Sequence, residues 1–288
     1  MQTFLPYEDF VQSARVLDAP RLGKQRVETL QILRALVLPS YGWQTHPVVD
    51  MWRGYVPALT RYGLDMVSVW AERGHADSTA PQMLEFAPEV GTMTQADLTD
   101  AGLVPSWLGN EELHLSHRSN LIRKAPELYA PHFPGEPDDL PYLWPGADPG
   151  VQPPPPPSDA RPLWILRVRD EDELDRWRAE GVVSIPAVNP SGRVPPKWRR
   201  QLDEFAEAMR PGDRFAVLAG AGQTLPTGVL LGAPRSGTDE GGRPHLARAV
   251  SFDAAELARS AVPYPAVLQD PRMLFSISDV GGGDLDGE

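Results

Sequence analysis

The sequence predicts two domains of different class, an all-α domain over residues 1–144 and an α+β barrel-like domain over residues 162–279. Three observations carry this. Apolar residues recur at steps of three and four as far as about residue 124, and no period-two run of useful length appears before Tyr142. Beyond residue 162 the pattern changes to short β-type runs interleaved with amphipathic stretches. Between the two lies PGADPGVQPPPPPSDARP, with five consecutive prolines at Pro153–Pro157. Such a run donates no backbone hydrogen bonds and favours an extended polyproline spacer, so residues 145–161 read as a linker. The glycine-rich, acidic residues 280–288 read as a disordered tail.

In the first domain Asp18 is a helix N-cap, and Pro20 sits in the first turn where its missing N–H does no harm. Val27, Leu30, Leu33 and Val37 then form the expected buried stripe, with Arg21, Lys24, Gln25 and Glu28 on a different, exposed face. A second helix is expected over Tyr55–Arg73, with Leu59, Met66, Val69 and Trp70 inward and Gly74 ending it. A third runs from near Asn110 to about Lys124, where Pro126 and Pro131 break it.

In the second domain LWILRVR at 163–169 and VVSI at 182–185 flank a charged helix over Glu171–Ala179. Trp198–Met209 is amphipathic, with Leu202, Phe205 and Met209 apolar. A turn and strand follow at 211–220, and 227–232 looks like the hairpin partner. Strands at Ala247–Phe252 and 274–278 complete five or six in all, which fits a compact barrel-like module.

The bulk properties bound the chemistry. The chain has 288 residues, enough for two cores, and a formal charge of -12. Residues 1–150 hold 11 basic and 19 acidic side chains and the remainder 16 and 20. Neither half has the basic excess usual for nucleic-acid binding, so DNA contact must come from local patches. The absence of cysteine removes disulfides and thiolate chemistry and suits a reducing cytoplasm. MQTFLPYEDF has neither the basic nor the apolar region of a signal peptide, and no apolar run reaches the roughly 20 residues that span a bilayer. A membrane partner is not expected.

Two segments concentrate the candidate chemistry. On the helix that follows the Asp18 cap in LDAPRLGKQRVETLQILRALVL, Glu28 is the lone carboxylate, among Arg21, Lys24 and Arg26. A single acid inside a phosphate-binding surface is unfavourable unless it acts on something; otherwise it is a solvated pair with Lys24. Along WLGNEELHLSHRSNLIRK, His114, His117, Arg118, Arg123 and Lys124 form a basic run suited to phosphates, or else a capped surface helix. The two histidines lack a suitable third ligand, so neither metal nor cofactor is expected. Trp52 and Trp107 read as core residues or as wedges into unstacked DNA.

These motifs, with MQTFLPY, LGKQRVE, HPVVDMWRGY, WAERGH, LSHRSNLIRK and PDDLPYLWP, make residues 1–144 resemble the pyrimidine-dimer DNA glycosylase family of the phage endonuclease V type, in a bacterial branch. The resemblance implies a glycosylase with AP-lyase activity on double-stranded DNA carrying a damaged or modified pyrimidine. In that family the N-terminal α-amine is the nucleophile and a helix glutamate the catalytic acid, which here fall on Met1 and Glu28. Gln2 is too bulky for ordinary removal of the initiator methionine, so the amine belongs to Met1 unless trimming exposes Gln2 or Thr3. The family's histidine before the helix leucine is Arg21 here. The second domain resembles PUA/EVE-like modules, through Trp164 on its first strand, GVVSI, EFAEAMRPGD and LPTGVLLG. That implies a pocket for a flipped, modified base near Ser184–Asn189, with Trp164, Ser184 and Asn189 as its residues. Lys197, Arg199 and Arg200 are backbone contacts or simply a charged helix start. The whole reads as a monomeric repair or antiphage-defence glycosylase fused to a base reader. A non-catalytic binder of modified nucleic acid, DNA or RNA, is the competing expectation.

Overall fold

The computed structural model describes residues 1–38, 41–147, 162–220, 222–239, 241–262 and 265–277. Most of the expected linker, with Pro153–Pro157, and the expected tail lie outside them. The chain divides into two compact units, Met1–Pro153 and Pro154–Glu288.

Every regular element described in the first unit is helical: α1 (Phe10–Val16), α2 (Ala19–Val37), α3 (Pro47–Met51), α4 (Val56–Glu72), α5 (Ala80–Leu84), α6 (Gln95–Asp100), α7 (Glu111–Lys124) and α8 (Pro126–Tyr129), with a 3-10 turn at Pro88–Thr92. Asp18 caps α2 by accepting from the Arg21 amide, with Pro20 in the first turn. Helix α4 stops at Gly74, whose φ of 84° suits the left-handed position after a helix. Helices α2 and α4 pack closely around Gly63, where a Cβ would lie 2.8 Å from Thr29 Cγ2. Leu22, Leu30, Ile32 and Leu33 of α2 and Leu59, Tyr62 and Met66 of α4, helices that pack on one another, are all buried.

The expected face of α2 is rotated. Val27 is 45 % exposed and Val37 half-buried, whereas Gln25 and Glu28 are buried. The reason is the first six residues. Met1–Pro6 run without regular structure into the unit, and the buried polar face of α2 meets their main chain rather than solvent.

Helix α7 differs from expectation in the same way. Its residues from Leu113 to Ile122 are buried apart from Leu115, although the segment is polar. Ser116 Oγ accepts from the Leu143 amide, Ser119 Oγ accepts from the Leu140 amide, and Asn120 Nδ2 donates to the Leu140 carbonyl. The polar face therefore holds irregular chain, whose main-chain groups need partners once buried.

The second unit is one mixed seven-stranded sheet curled into a half-barrel. Its strands are β1 (Leu163–Arg167), β2 (Val182–Pro186), β3 (Arg214–Leu218), β4 (Thr224–Leu230), β5 (Arg235–Thr238), β6 (Pro244–Ala258) and β7 (Leu274–Ser276), in the order β2-β6-β4-β3-β1-β7, with β5 beside β6. Only β1 and β3 pair in parallel; the other pairings are antiparallel. Trp164 and Leu166 of β1 join one core with Leu174 and Trp177, while Leu163 and Ile165 join another with Val267 and Leu268. Period-two alternation thus fills both faces of the central strands. Helix α9 (Glu171–Glu180) and helix α10 (Pro196–Asp203), continued as a π-turn to Ala208, cover the first face. Strand β5 carried no β-type apolar run, and β6 is far longer than 247–252 because its first half pairs with β2 and β5 and its second with β4.

Candidate active site and a second cleft

The N-terminal segment is held residue by residue. Gln25 Oε1 accepts from the Phe4 amide at 2.9 Å and from the Tyr62 hydroxyl at 2.6 Å, while its Nε2 donates to the Gln2 carbonyl at 3.0 Å. Trp52 Nε1 donates to Thr3 Oγ1, and Trp144 Nε1 donates to Gln2 Oε1. The Leu5 peptide is bracketed by both histidines of α7. His117 Nδ1 accepts from the Leu5 amide at 2.8 Å. His114 Nδ1 donates to the Leu5 carbonyl at 2.8 Å and its Nε2 accepts from the Gly109 amide. The network thus assigns the two rings opposite neutral tautomers. Burial, with His114 nearby, pushes His117 down to about 3, so it stays neutral. Arg118 donates to the Pro6 carbonyl at 2.9 Å and pairs with Glu111 and Glu136.

This threading delivers residue 1 to Glu28. The Met1 amine lies 3.7 Å from Glu28 Oε1, and Lys24 Nζ lies 3.5 Å from the same oxygen. Gln25 Nε2 stands 3.4 Å from Oε2. The Met1 side chain is 4 % exposed although the residue as a whole is only partly buried. What remains open is therefore its main chain, which at residue 1 ends in the amine. Glu28, 7 % exposed, faces the amine and the Lys24 ammonium. Tyr62 is pushed well above the usual phenol range by burial, and the nearby Glu28 charge adds to that. It serves as a hydrogen-bond donor and not as an acid.

Around the pair stands a row of rings. Tyr142 stacks on Trp144 at 5.5 Å, Trp144 meets the edge of His46 at 5.7 Å, and His46 meets Trp43 at 6.0 Å. His46 Nδ1 accepts from the Val48 amide and so caps α3. Partial burial and the positive Met1 amine lower the His46 pKa, against a smaller pull upward from Glu28. His46 and Gln25 escaped sequence reasoning as site residues. The available signal was the neighbouring pair Gln25 and Glu28, three apart on one helix face.

The other expected DNA contacts divide. Lys24, Arg123 and Lys124 are exposed, with Lys24 beside Glu28 and Arg123 donating to Asn120 Oδ1 and the Leu140 carbonyl. Arg21 is half-buried, paired with Asp18 at 2.8 Å and stacked over Tyr129 at 5.3 Å. Arg26 is a correction: it pairs with Asp77 and lies over the Trp70 ring at 4.2 Å, a structural lock between helices. His114, His117 and Arg118 are also corrections, because they are buried and their polar atoms hold residues 5 and 6. Trp52 and Trp107 are core residues, with their rings 5.0 Å apart.

The second unit has a cleft of about 580 Å³ lined by Trp177, Trp198, Ser184, Asn189, Arg176 and Arg243, among others. Ser184 and Asn189 are among the residues that line it. Asn189 Oδ1 is occupied by the Ser191 and Arg193 amides. Trp164 is a correction: its ring is buried in the core and Nε1 donates to Asp213 at 3.1 Å. Trp177 reaches the cleft only from that same core, and the more open ring is that of Trp198, whose Nε1 donates to the Pro186 carbonyl.

Residues 1–83 match the family model described as pyrimidine dimer DNA glycosylase. No curated protein and no solved structure matches the chain. No helix among the described residues is long and apolar enough to cross a membrane.

Proposed function

From the family of residues 1–83, one of DNA glycosylases, we propose that the first unit removes a damaged or modified pyrimidine from double-stranded DNA and then cuts the strand. The observation that carries this reading is the Met1 amine 3.7 Å from Glu28 at the end of a segment pinned along its length. An α-amine ordinarily titrates near 7.7–8, so it offers an unprotonated fraction at neutral pH that a lysine near 10.4 does not. Its lone pair forms a bond to C1′ as the glycosidic bond breaks, and the departing base takes the electron pair and a proton. Glu28 stabilises the positive charge that develops on the sugar. Loss of the amine proton and opening of the C1′–O4′ bond give an iminium, with O4′ protonated. Removal of a C2′ proton, with Glu28 as base, then expels the 3′-phosphate. Lys24, Arg123 and Lys124 supply positive charge toward the DNA backbone. An amine beside a buried carboxylate is reached by C1′ only if the nucleotide leaves the helix, which costs a few kcal/mol and is cheapest at a lesion.

The second unit is proposed as a PUA/EVE-like base reader. Its cleft has the size and mixed lining of a small-ligand site, with Trp198 for stacking and Ser184 and Asn189 for edge contacts.

Glu28→Gln tests the catalytic assignment. It keeps the size of the side chain and deletes its charge, so binding to a thymine-dimer duplex should persist while strand scission falls at least 100-fold. Scission at the wild-type rate removes Glu28 from the mechanism. Scission absent from the wild-type chain, with binding intact, points instead to a non-catalytic binder.

A further inference from the structure

Trp43 stands in the turn after α2 with φ at 71° and is 64 % exposed. It is the one non-glycine residue at positive φ among those described. A bulky side chain there is strained, and an exposed indole forgoes the burial that would offset the strain. Trp52 and Trp107, by contrast, are enclosed. The ring contact described for Trp43 is the edge of His46 at 6.0 Å, and its carbonyl accepts from the His46 amide at 2.9 Å. His46 in turn meets Trp144 at 5.7 Å, and Trp144 Nε1 donates to Gln2 Oε1 at 3.2 Å. Gln2 is bonded to the residue that carries the amine. Thus three contacts lead from an exposed, strained indole to the amine–Glu28 pair.

We propose that Trp43 is a DNA-contacting residue that stacks on an unpaired nucleobase beside the nucleotide processed at the amine, with His46 setting the indole from behind. This rests on the DNA reading above. A flat apolar ring held out from the surface suits a base π-face, and a nucleotide drawn out of the duplex leaves such a face uncovered. The strained backbone holds the ring outward before DNA arrives, so less ordering remains at binding.

The full chain carrying Trp43→Gly separates this role from a structural one. Glycine tolerates positive φ, so the thermal midpoint should stay the same or rise. Affinity for a thymine-dimer duplex should fall about 5- to 100-fold, the scale of one base–aromatic stack. Trp43→Phe should retain most of the affinity. With 2-aminopurine opposite the dimer, wild-type binding should quench its fluorescence more than the glycine variant does at saturation. Equal affinity and equal quenching for wild type and Trp43→Gly overturn the proposal, as does a glycine variant whose midpoint falls together with its affinity. If the wild-type chain binds no dimer duplex, the DNA reading itself fails; if it binds and cuts while Trp43→Gly matches it, only the stacking role fails.

Discussion

At the residue scale, Gln25 decides more than its place in the sequence suggests. One amide joins the Phe4 amide, the Gln2 carbonyl and the Tyr62 hydroxyl, and it also approaches Glu28. Gln25→Ala orphans the first two groups inside the unit, at about 1–3 kcal/mol for each group. Urea unfolding of that variant should show about 2–6 kcal/mol lost, and scission should fall further than the residual folded fraction explains, because residue 1 is no longer aimed at Glu28. Unchanged stability would mean that the segment is held by its apolar side chains alone. Glu28 was legible from charge pattern, since a lone acid among cations needs a reason. Gln25 and His46 were not, because a neutral amide or a capping imidazole looks the same in one dimension whether it faces solvent or a buried peptide.

At the element scale, α7 shows where pattern reading fails. A helix with histidines, serines, an asparagine and arginines reads as solvated, yet it is a buried polar rack for two irregular segments. Polar side chains go inside when their partners are main-chain groups, and those partners lie more than 100 residues away for Leu5 and His117. The Asp18 cap of α2 and the Gly74 end of α4 were legible because they depend on neighbours in sequence. The consequence is acid sensitivity. His117 is neutral in the folded protein down to about pH 3, but the unfolded chain binds its proton below about 6.5. Across that window the unfolded state holds more protons, so stability is full above 6.5 and falls as pH drops toward 3, with a slope of at most about 1.4 kcal/mol per pH unit. His117→Asn, whose Oδ1 can take the place of Nδ1 and still accept from the Leu5 amide, should flatten that limb in denaturation curves taken at pH 4, 5 and 7. Parallel curves for the two proteins would assign the acid limb to other groups.

At the scale of the whole molecule, the two halves fold by different rules. The first is a helical shell around an extended N-terminal segment, the second a half-barrel whose central strands are buried on both faces. The change of hydrophobic period suggests two domains of different class, and the chain divides into compact units between residues 153 and 154. The long β6 was hidden because its second half is largely exposed and carries too few apolar residues to register. In the proposed mechanism the amine at residue 1, aimed by its pinned segment, attacks C1′ beside Glu28. Borohydride reduction during turnover of a thymine-dimer duplex tests it most directly, with the adduct located by peptide mass spectrometry. A covalent DNA adduct should form on the Met1 amine, with the full chain and with residues 1–147 alone, and should be abolished by acetylating that amine with little loss of binding. An adduct on Lys24, or none on dimer-containing and abasic duplexes alike, would contradict it.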